Sequence, residues 1–501
     1  MLLGIDLGSS SVKVAVVDPE TGRAVGRAQS PEAEMAIDAP EPGWAEQDPE
    51  TWWTHTQRAT RAALDAGGVD GADVAAVGVA YQMHGLVLTG ATDAPLRPSI
   101  IWCDGRAAGL GAEAFRAMGE RRCLRDFLNS PGNFTASKLA WVKAHEPEVY
   151  ARAQHAMLPG DWLAYRMTGE TRTTASGLSE AVLWHIAEDR PAGEVLDHYG
   201  LDPDLVPDLV PTFGDQGRLT AAAADALGLA AGTPVTYRAG DQPNNALALG
   251  ALGPGEVAAT AGTSGVVYGV SDTPTPDARS RVNTFLHVNH SAEAPRYGVL
   301  LCLNGVGSLY RWLRETLSAG AASGGGPPLP YPALNALADA APPGADGLTV
   351  LPFGNGAERV LEDRDVGAAV LGLDLNRHTP GHLARAAQEG VAFAFRYGAE
   401  VLAGTGVDVG RVRAPRANLF LSDGFAQAFA TAVGAVVDLV ETDGAEGAAR
   451  GAGVGLGALD LAGVADRLRV VRRVEPGDPG ALEGAYGRWR EALDRRLADA
   501  P

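Results

Sequence analysis

Two stretches far apart in the chain share one plan: an apolar run, a turn of glycine and small hydroxyl residues, and a second apolar run. The first comprises Leu2–Leu7, Gly8-Ser9-Ser10-Ser11 and Val12–Val17; the second breaks at Ala261-Gly262-Thr263-Ser264-Gly265. Short apolar runs bounded by turn residues read as buried strands. The N–H and O–H groups of such turns can cradle phosphate oxygens. Neither turn has the spacing of a Walker loop, and Gly-Ser-Ser-Ser by itself is an ordinary hairpin turn. Two such units predict a duplicated domain whose turns face each other across a cleft.

Carboxylates flank these turns. Asp6 ends the first strand, and Lys13 lies just past the turn. The run Pro234 to Ala239 ends in Gly240-Asp241, and an Ala/Leu-rich helical segment follows. Open α/β sheets carry their chemistry at the carboxyl ends of strands. A base beside a phosphate-binding turn points to a kinase.

The rest of the chain fits α/β with two similar domains, strands first and then alternating helices and strands. In Trp44–Trp53, Asp48 is a good N-cap with Pro49 at the first helical position, so a helix begins there. Val74–Ala80 reads as a strand entering Tyr81-Gln82-Met83-His84-Gly85, where Gln82 and His84 can hydrogen-bond a polyol. Ile100-Ile101-Trp102-Cys103-Asp104 reads as another strand ending in a carboxylate, and Trp102 can stack on a sugar face or fill the core. In Asn133–His145, Lys138 sits at helical spacing among apolar residues and is expected to run its stem along the helix with its ammonium in water. Ser318–Pro330 reads as a surface loop, Thr379–Ala403 as a long core helix, and the Gly/Ala-rich Asp443–Ala462 as a helix packed closely on a neighbour.

A length of 501 residues suits two or three domains, and a hydrophobic fraction of 46% suits full-sized cores. A formal charge of −20 argues against nucleic acid or an anionic membrane as partner. The three cysteines, Cys103, Cys123 and Cys302, show no C-x-x-C pairing and fit a reducing compartment. With no apolar window of about 18 residues and no signal-like start, the expected location is the cytoplasm.

Gly4-Ile5-Asp6-Leu7-Gly8-Ser9-Ser10, the Trp44–Trp53 block, Gln82-Met83-His84-Gly85 and Trp102-Cys103-Asp104-Gly105-Arg106 together resemble the FGGY carbohydrate kinases. So do Lys138-Leu139-Ala140-Trp141, Gly240-Asp241-Gln242 and Gly262-Thr263-Ser264-Gly265, all in the family's order over roughly residues 1–460. The Gln-Met-His-Gly block is most similar to the members that act on D-xylulose. The resemblance implies two actin-like (ribonuclease H-like) ATPase domains with an interdomain catalytic cleft: residues 1–242, with the sugar site and the first phosphate loop, and 243–501, with the nucleotide site. It implies ATP and Mg²⁺ as cofactors, with a small-molecule sugar as the other partner, and it allows a homodimer. Asp241 would be the general base, and Asp6 would position magnesium through water. Gln82, Met83, His84, Trp102, Asp104, Asp241 and Gln242 would line the sugar site. Gly8, Ser9, Ser10, Lys13, Gly262, Thr263 and Asn418 would surround the nucleotide. One departure stands out: where the family has a Gly-Gly-Gly-Ala turn near adenine, this chain has Ala414-Pro415-Arg416-Ala417-Asn418-Leu419-Phe420-Leu421-Ser422.

Other readings share the fold. The chain could phosphorylate ribulose, glycerol or gluconate, or it could be a nucleotide-driven chaperone or filament subunit, which would carry no sugar block. An inactive regulator is disfavoured by the presence of both Asp6 and Asp241.

Overall fold

A computed structural model describes residues 1–92, 94–323 and 327–500. The first half is built on strands β1 (Leu2–Leu7), β2 (Val12–Val17) and β3 (Ala24–Ser30), which form an antiparallel meander. Helix α1 (Pro49–Gly67) follows; the Asp48 carboxylate accepts from the Glu50 N–H at 3.0 Å, and Gly68 closes the helix in the left-handed conformation. Strand β4 (Ala76–Tyr81) then pairs parallel to β1. After helices α2 (Thr135–His145) and α3 (Ala175–Glu180), strand β5 (Val235–Gly240) joins parallel to β4 and runs straight into helix α4 (Asp241–Ala248). The sheet order is β5-β4-β1-β2-β3.

The second half repeats the theme. Strands β6 (Val257–Ala261), β7 (Gly265–Ser271), β8 (Asn283–Leu286) and β9 (Tyr297–Leu303) are antiparallel neighbours. Helix α5 (Val306–Ser323), helix α6 (Pro380–Ala403), strand β10 (Arg411–Pro415), helix α7 (Asp423–Val433) and strand β11 (Val436–Val440) follow. Helix α8 (Gly444–Gly455), strand β12 (Val470–Val474) and helix α9 (Gly480–Asp499) end the chain. The seven-stranded sheet runs β8-β9-β7-β6-β10-β11-β12. Both of its faces are covered: Val266 and Tyr268 pack into the first half's core and Val267 into the second's, which is why β7 reads as an unbroken apolar run.

Helix α8 does not stay with its own half. It lies across β1, β4 and β5 of the first sheet. Gly4 and Gly78 are register partners, and a Cβ on them would meet the Ala445 and Ala448 carbonyl oxygens at 1.9 and 2.1 Å. Paired glycines thus flatten the sheet where a helix of Gly and Ala presses on it. The expected division at 242/243 falls inside α4, and a helix of the C-terminal half, α8, covers the N-terminal sheet.

Three readings of the sequence are corrected. The segment from Ser318 is not loop throughout: α5 continues to Ser323, and residues 324–326 lie outside the described residues. The strand expected over Ile100–Asp104 is only Ser99–Ile100, because the Ile101 carbonyl turns to the Lys138 ammonium. The stretch Arg488–Ala498, whose pattern reads as an amphipathic terminal helix, is only the later part of α9, which starts at Gly480. No helix among the described residues is long and apolar enough to cross a membrane.

Candidate active site

A cleft of about 1030 Å³ opens between the two halves, and residues of both line it. Asp6, at the end of β1, faces Lys13 across the β1–β2 pair. Asp241 caps the transition from β5 to α4. Burial pushes the Asp6 carboxyl up to about 6, with Lys13 opposing and Asp443 adding to the rise. Burial pushes Asp241 up to about 7; the like charge of Asp6 adds to this, and hydrogen bonds from Gln242 oppose it. A carboxylate that titrates near neutrality is suited to receive a proton in the transition state. Among the described residues no group of three His, Cys, Asp or Glu could hold a metal ion.

The Gln82–His84 block leaves the end of β4 and lines the cleft. Gln82 donates from its backbone N–H to the Leu7 carbonyl at 2.7 Å and from its amide to Gln47 at 3.3 Å. Met83 packs on Gly240, where a Cβ would come 2.6 Å from its Cγ. His84 adopts φ 61°, a left-handed conformation costly for a residue with a Cβ. Its Nδ1 lies 3.0 Å from the Glu180 carbonyl oxygen, and the ring sits against Phe134 and Phe285. Burial, with the Lys138 charge adding, pushes the imidazole down to about 3, so it is neutral. A carbonyl only accepts, so the ring proton is on Nδ1 and Nε2 is left as the acceptor.

Trp102 is 43% exposed, lines the cleft, and donates its indole N–H to Ser9 Oγ at 3.3 Å. It is therefore not a core tryptophan. Gln242 also lines the cleft. Asp104 does not: it is fully buried, its carboxylate taking Arg106 at 2.7 Å and the Ala45 N–H. The expectation that Asp104 lines the sugar site is corrected, because the guanidinium two residues on captures the carboxylate.

On the first turn, Gly8, Ser9, Ser10 and Lys13 all line the cleft. The turn is closed by the Gly8 N–H to the Ser11 carbonyl at 3.1 Å, and Gln47 anchors the Ser9 carbonyl at 2.7 Å. On the second turn the lining residue is Ser264 rather than Gly262 or Thr263. The Gly262 and Thr263 carbonyls accept from the Gly307 and Ser308 N–H groups at the start of α5, at 2.9 and 3.4 Å. Asn418 has φ 54°, and a Cβ on Gly262 would come 3.4 Å from its Nδ2, so these two expected nucleotide residues are neighbours.

Some site residues carry no signal of their own in the sequence. Glu180 is fully buried, with Oε2 2.7 Å from where a Gly240 Cβ would stand; burial holds its carboxyl well above the usual range. Gly444 is the other: a Cβ there would lie 2.4 Å from Asp6 Oδ2. Lys138, expected in water, is fully buried instead.

Comparison with known proteins agrees with this geometry. The sequence models described as "FGGY family of carbohydrate kinases, N-terminal domain" and "C-terminal domain" match residues 1–248 and 257–459. The chain is 33% identical over 407 residues to the xylulose kinase of Escherichia coli (strain K12), covering 81% of this chain and 80% of that one. It is 28% identical over 412 residues to the xylulose kinase of Bacillus subtilis (strain 168), covering 81% and 78%. Among solved structures, xylulose kinase from Rhodospirillum rubrum superposes with a TM-score of 0.85 at 28% identity, covering 99% of this chain and 98% of that one. Glycerol kinase from Plasmodium falciparum with ADP, at 19% identity, shares the fold with a TM-score of 0.84 over 99% and 98% of the two chains. With both halves matched and the cleft between them carrying the motifs, the chain belongs to the FGGY family of carbohydrate kinases and is a sugar kinase, a phosphotransferase.

Proposed function

We propose that the protein phosphorylates D-xylulose at its terminal 5-hydroxyl with ATP, giving D-xylulose 5-phosphate and ADP, with Asp241 as general base. The observation that carries this reading is a carboxylate titrating near 7 on the wall of a cleft that also holds Gln82, Met83 and a neutral His84. The identity to xylulose kinases supports the choice of sugar.

Asp241 accepts the proton of the 5-hydroxyl as its oxygen forms the new P–O bond, and the bond from the γ-phosphorus to the ADP oxygen breaks. Gln82, His84 Nε2 and Gln242 orient the hydroxyls, and Trp102 covers a sugar face. Lys13 and the turn at Gly8–Ser10 hold phosphate from the first half; Gly262, Thr263, Ser264 and Asn418 serve the nucleotide from the second.

The strand-end carboxylates Asp6 and Asp241, with no closed ligand cage among the described residues, fit Mg²⁺, which keeps most of its waters and binds through one or two carboxylates with substrate phosphates. Asp6 would hold it through water, and the ion supplies charge neutralisation on the phosphates when bound. Phosphoryl transfer needs positioning and charge compensation more than covalent help, and this site is equipped for both.

The test is ADP release from ATP and Mg²⁺ with D-xylulose, D-ribulose, glycerol, gluconate and L-rhamnulose in parallel. Strong stimulation by D-xylulose alone is expected. Equal turnover with every sugar, or with none, overturns the assignment.

A further inference from the structure

Lys138 is the one buried lysine of the chain, and nothing in the phosphoryl transfer uses it. It stands on α2, fully buried, with its Nζ donating to the His84 carbonyl at 2.8 Å and the Ile101 carbonyl at 2.9 Å. A buried ammonium costs several kcal/mol unless it is paired and hydrogen-bonded. The carboxylate whose charge favours its ammonium, Asp104, is already held by Arg106. A methionine would fill the same volume without the desolvation cost but would leave the His84 and Ile101 carbonyls without this donor, so the charge serves to hold those two carbonyls.

The two carbonyls belong to the two segments that bring side chains to the sugar end of the cleft. One is that of His84 itself, the residue in the left-handed conformation. The other precedes Trp102. Further along, the two segments meet again at the bridge between Leu86 and Ile100, where the Leu86 N–H donates to the Ile100 carbonyl at 2.9 Å. The His84 ring is fixed separately, by the Glu180 carbonyl and by Phe134 and Phe285. Lys138 is what fixes its backbone.

We propose that Lys138 is a positioning residue for the sugar: its ammonium clamps the His84 and Ile101 carbonyls together, so that His84 and Trp102 are presented to one ligand at a fixed separation. The inference rests on the sugar-kinase reading of the cleft, and it holds for whichever sugar the enzyme accepts. Lys138 touches no substrate; it acts through the two segments it joins. Lys138 reaches the first phosphate-binding turn only indirectly, through the Trp102 N–H that donates to Ser9 Oγ at 3.3 Å, so loss of the clamp is felt more by the sugar than by the nucleotide.

The experiment compares wild type with Lys138→Met and Lys138→Gln, using the sugar that wild type phosphorylates best. Lys138→Met is expected to raise the sugar KM at least tenfold and leave the ATP KM within twofold, in a protein that still folds. Lys138→Gln, which keeps N–H donors on a shorter stem, is expected to show a smaller rise in the same direction. Backbone amides of residues 82–86 and 99–104 exchange faster in Lys138→Met, while those of α1 do not. A double-mutant cycle then asks whether the effect passes through His84. In a His84→Gly background, where the left-handed backbone carries no strain, the Lys138→Met penalty on sugar KM should fall below threefold.

A sugar KM unchanged by Lys138→Met, or sugar and ATP KM rising together, overturns the proposal. A full tenfold penalty persisting in the His84→Gly background does so too, as does failure of both variants to fold, which assigns Lys138 to stability. Preference of wild type for a sugar other than D-xylulose overturns the substrate assignment and leaves this test intact.

Discussion

The two small-residue turns have the same backbone plan and opposite electrostatics. Two residues before Gly8 stands Asp6, paired across the hairpin with Lys13. Two residues before Gly262 stands Thr260, whose cross-strand partner is Val266. The second turn is backed by the start of α5, whose Gly307 and Ser308 N–H groups are taken by turn carbonyls. The first carries charge on both strands, and Asp6 lies close enough to Asp241 for its negative charge to favour the protonated form of Asp241. Backbone geometry suitable for phosphate is thus repeated, whereas charged residues flank only the first of the two turns. The charged turn is suited to the reacting end, where charge develops, and the uncharged turn to holding the nucleotide with N–H and O–H donors.

Asp241→Asn is the most severe way to break that contrast. Loss of the base lowers kcat by about 10²–10⁴, read by ADP release. The folded protein retains protons on Asp6 and Asp241 that the unfolded chain has already released. The stability these groups contribute therefore falls as pH rises from the unfolded value near 4 to about 6 for Asp6 and about 7 for Asp241. Asp241→Asn consequently melts a few degrees above wild type at pH 8, a gap that narrows towards pH 5. A near-wild-type rate would place the base elsewhere.

Making the turns alike has the next largest effect. Asp6→Thr gives the first turn the residue of the second and should lower kcat by about 10²-fold, within the usual range for removing one electrostatic group. Thr260→Val alters the neutral turn and should leave kcat within about threefold. Equal losses from the two would erase the division of labour.

The smallest effect is a displacement of the pH profile. In wild type the acid limb of log kcat/KM rises with unit slope and levels off near pH 7, as Asp241 ionises. In the residual activity of Asp6→Asn the limb lies at lower pH, since the neighbouring negative charge is gone. A limb that stays in place would mean that the two carboxylates do not share a field.

Much of this was legible from residue order, and the limits have physical causes. Apolar runs punctuated by Gly and small residues locate β1, β2, β4 and β5 to within about two residues, though not the short strand Ser99–Ile100, and Asp48-Pro49 locates α1 because capping is a local interaction. Asp6 and Asp241 are readable as strand-end carboxylates that face the cleft. The same logic fails for Asp104, because Arg106 neutralises it from within the motif. Lys138 shows why amphipathic patterning cannot decide the fate of a lone cation on an apolar helix: the carbonyls that receive it come from 54 and 37 positions earlier in the chain. Glu180 and Gly444 matter through contacts with Gly240 and Asp6 that no spacing rule encodes.

The position of α8 bears on how the protein is made. The face of β1 and β4 that carries Gly4 and Gly78 is covered by a helix that begins only at Gly444. A nascent chain that has already paired all five strands of the first sheet still lacks this cover for some two hundred residues of synthesis. The N-terminal half therefore cannot finish folding as it leaves the ribosome; it waits for the C-terminal half, and the cleft between them is assembled late.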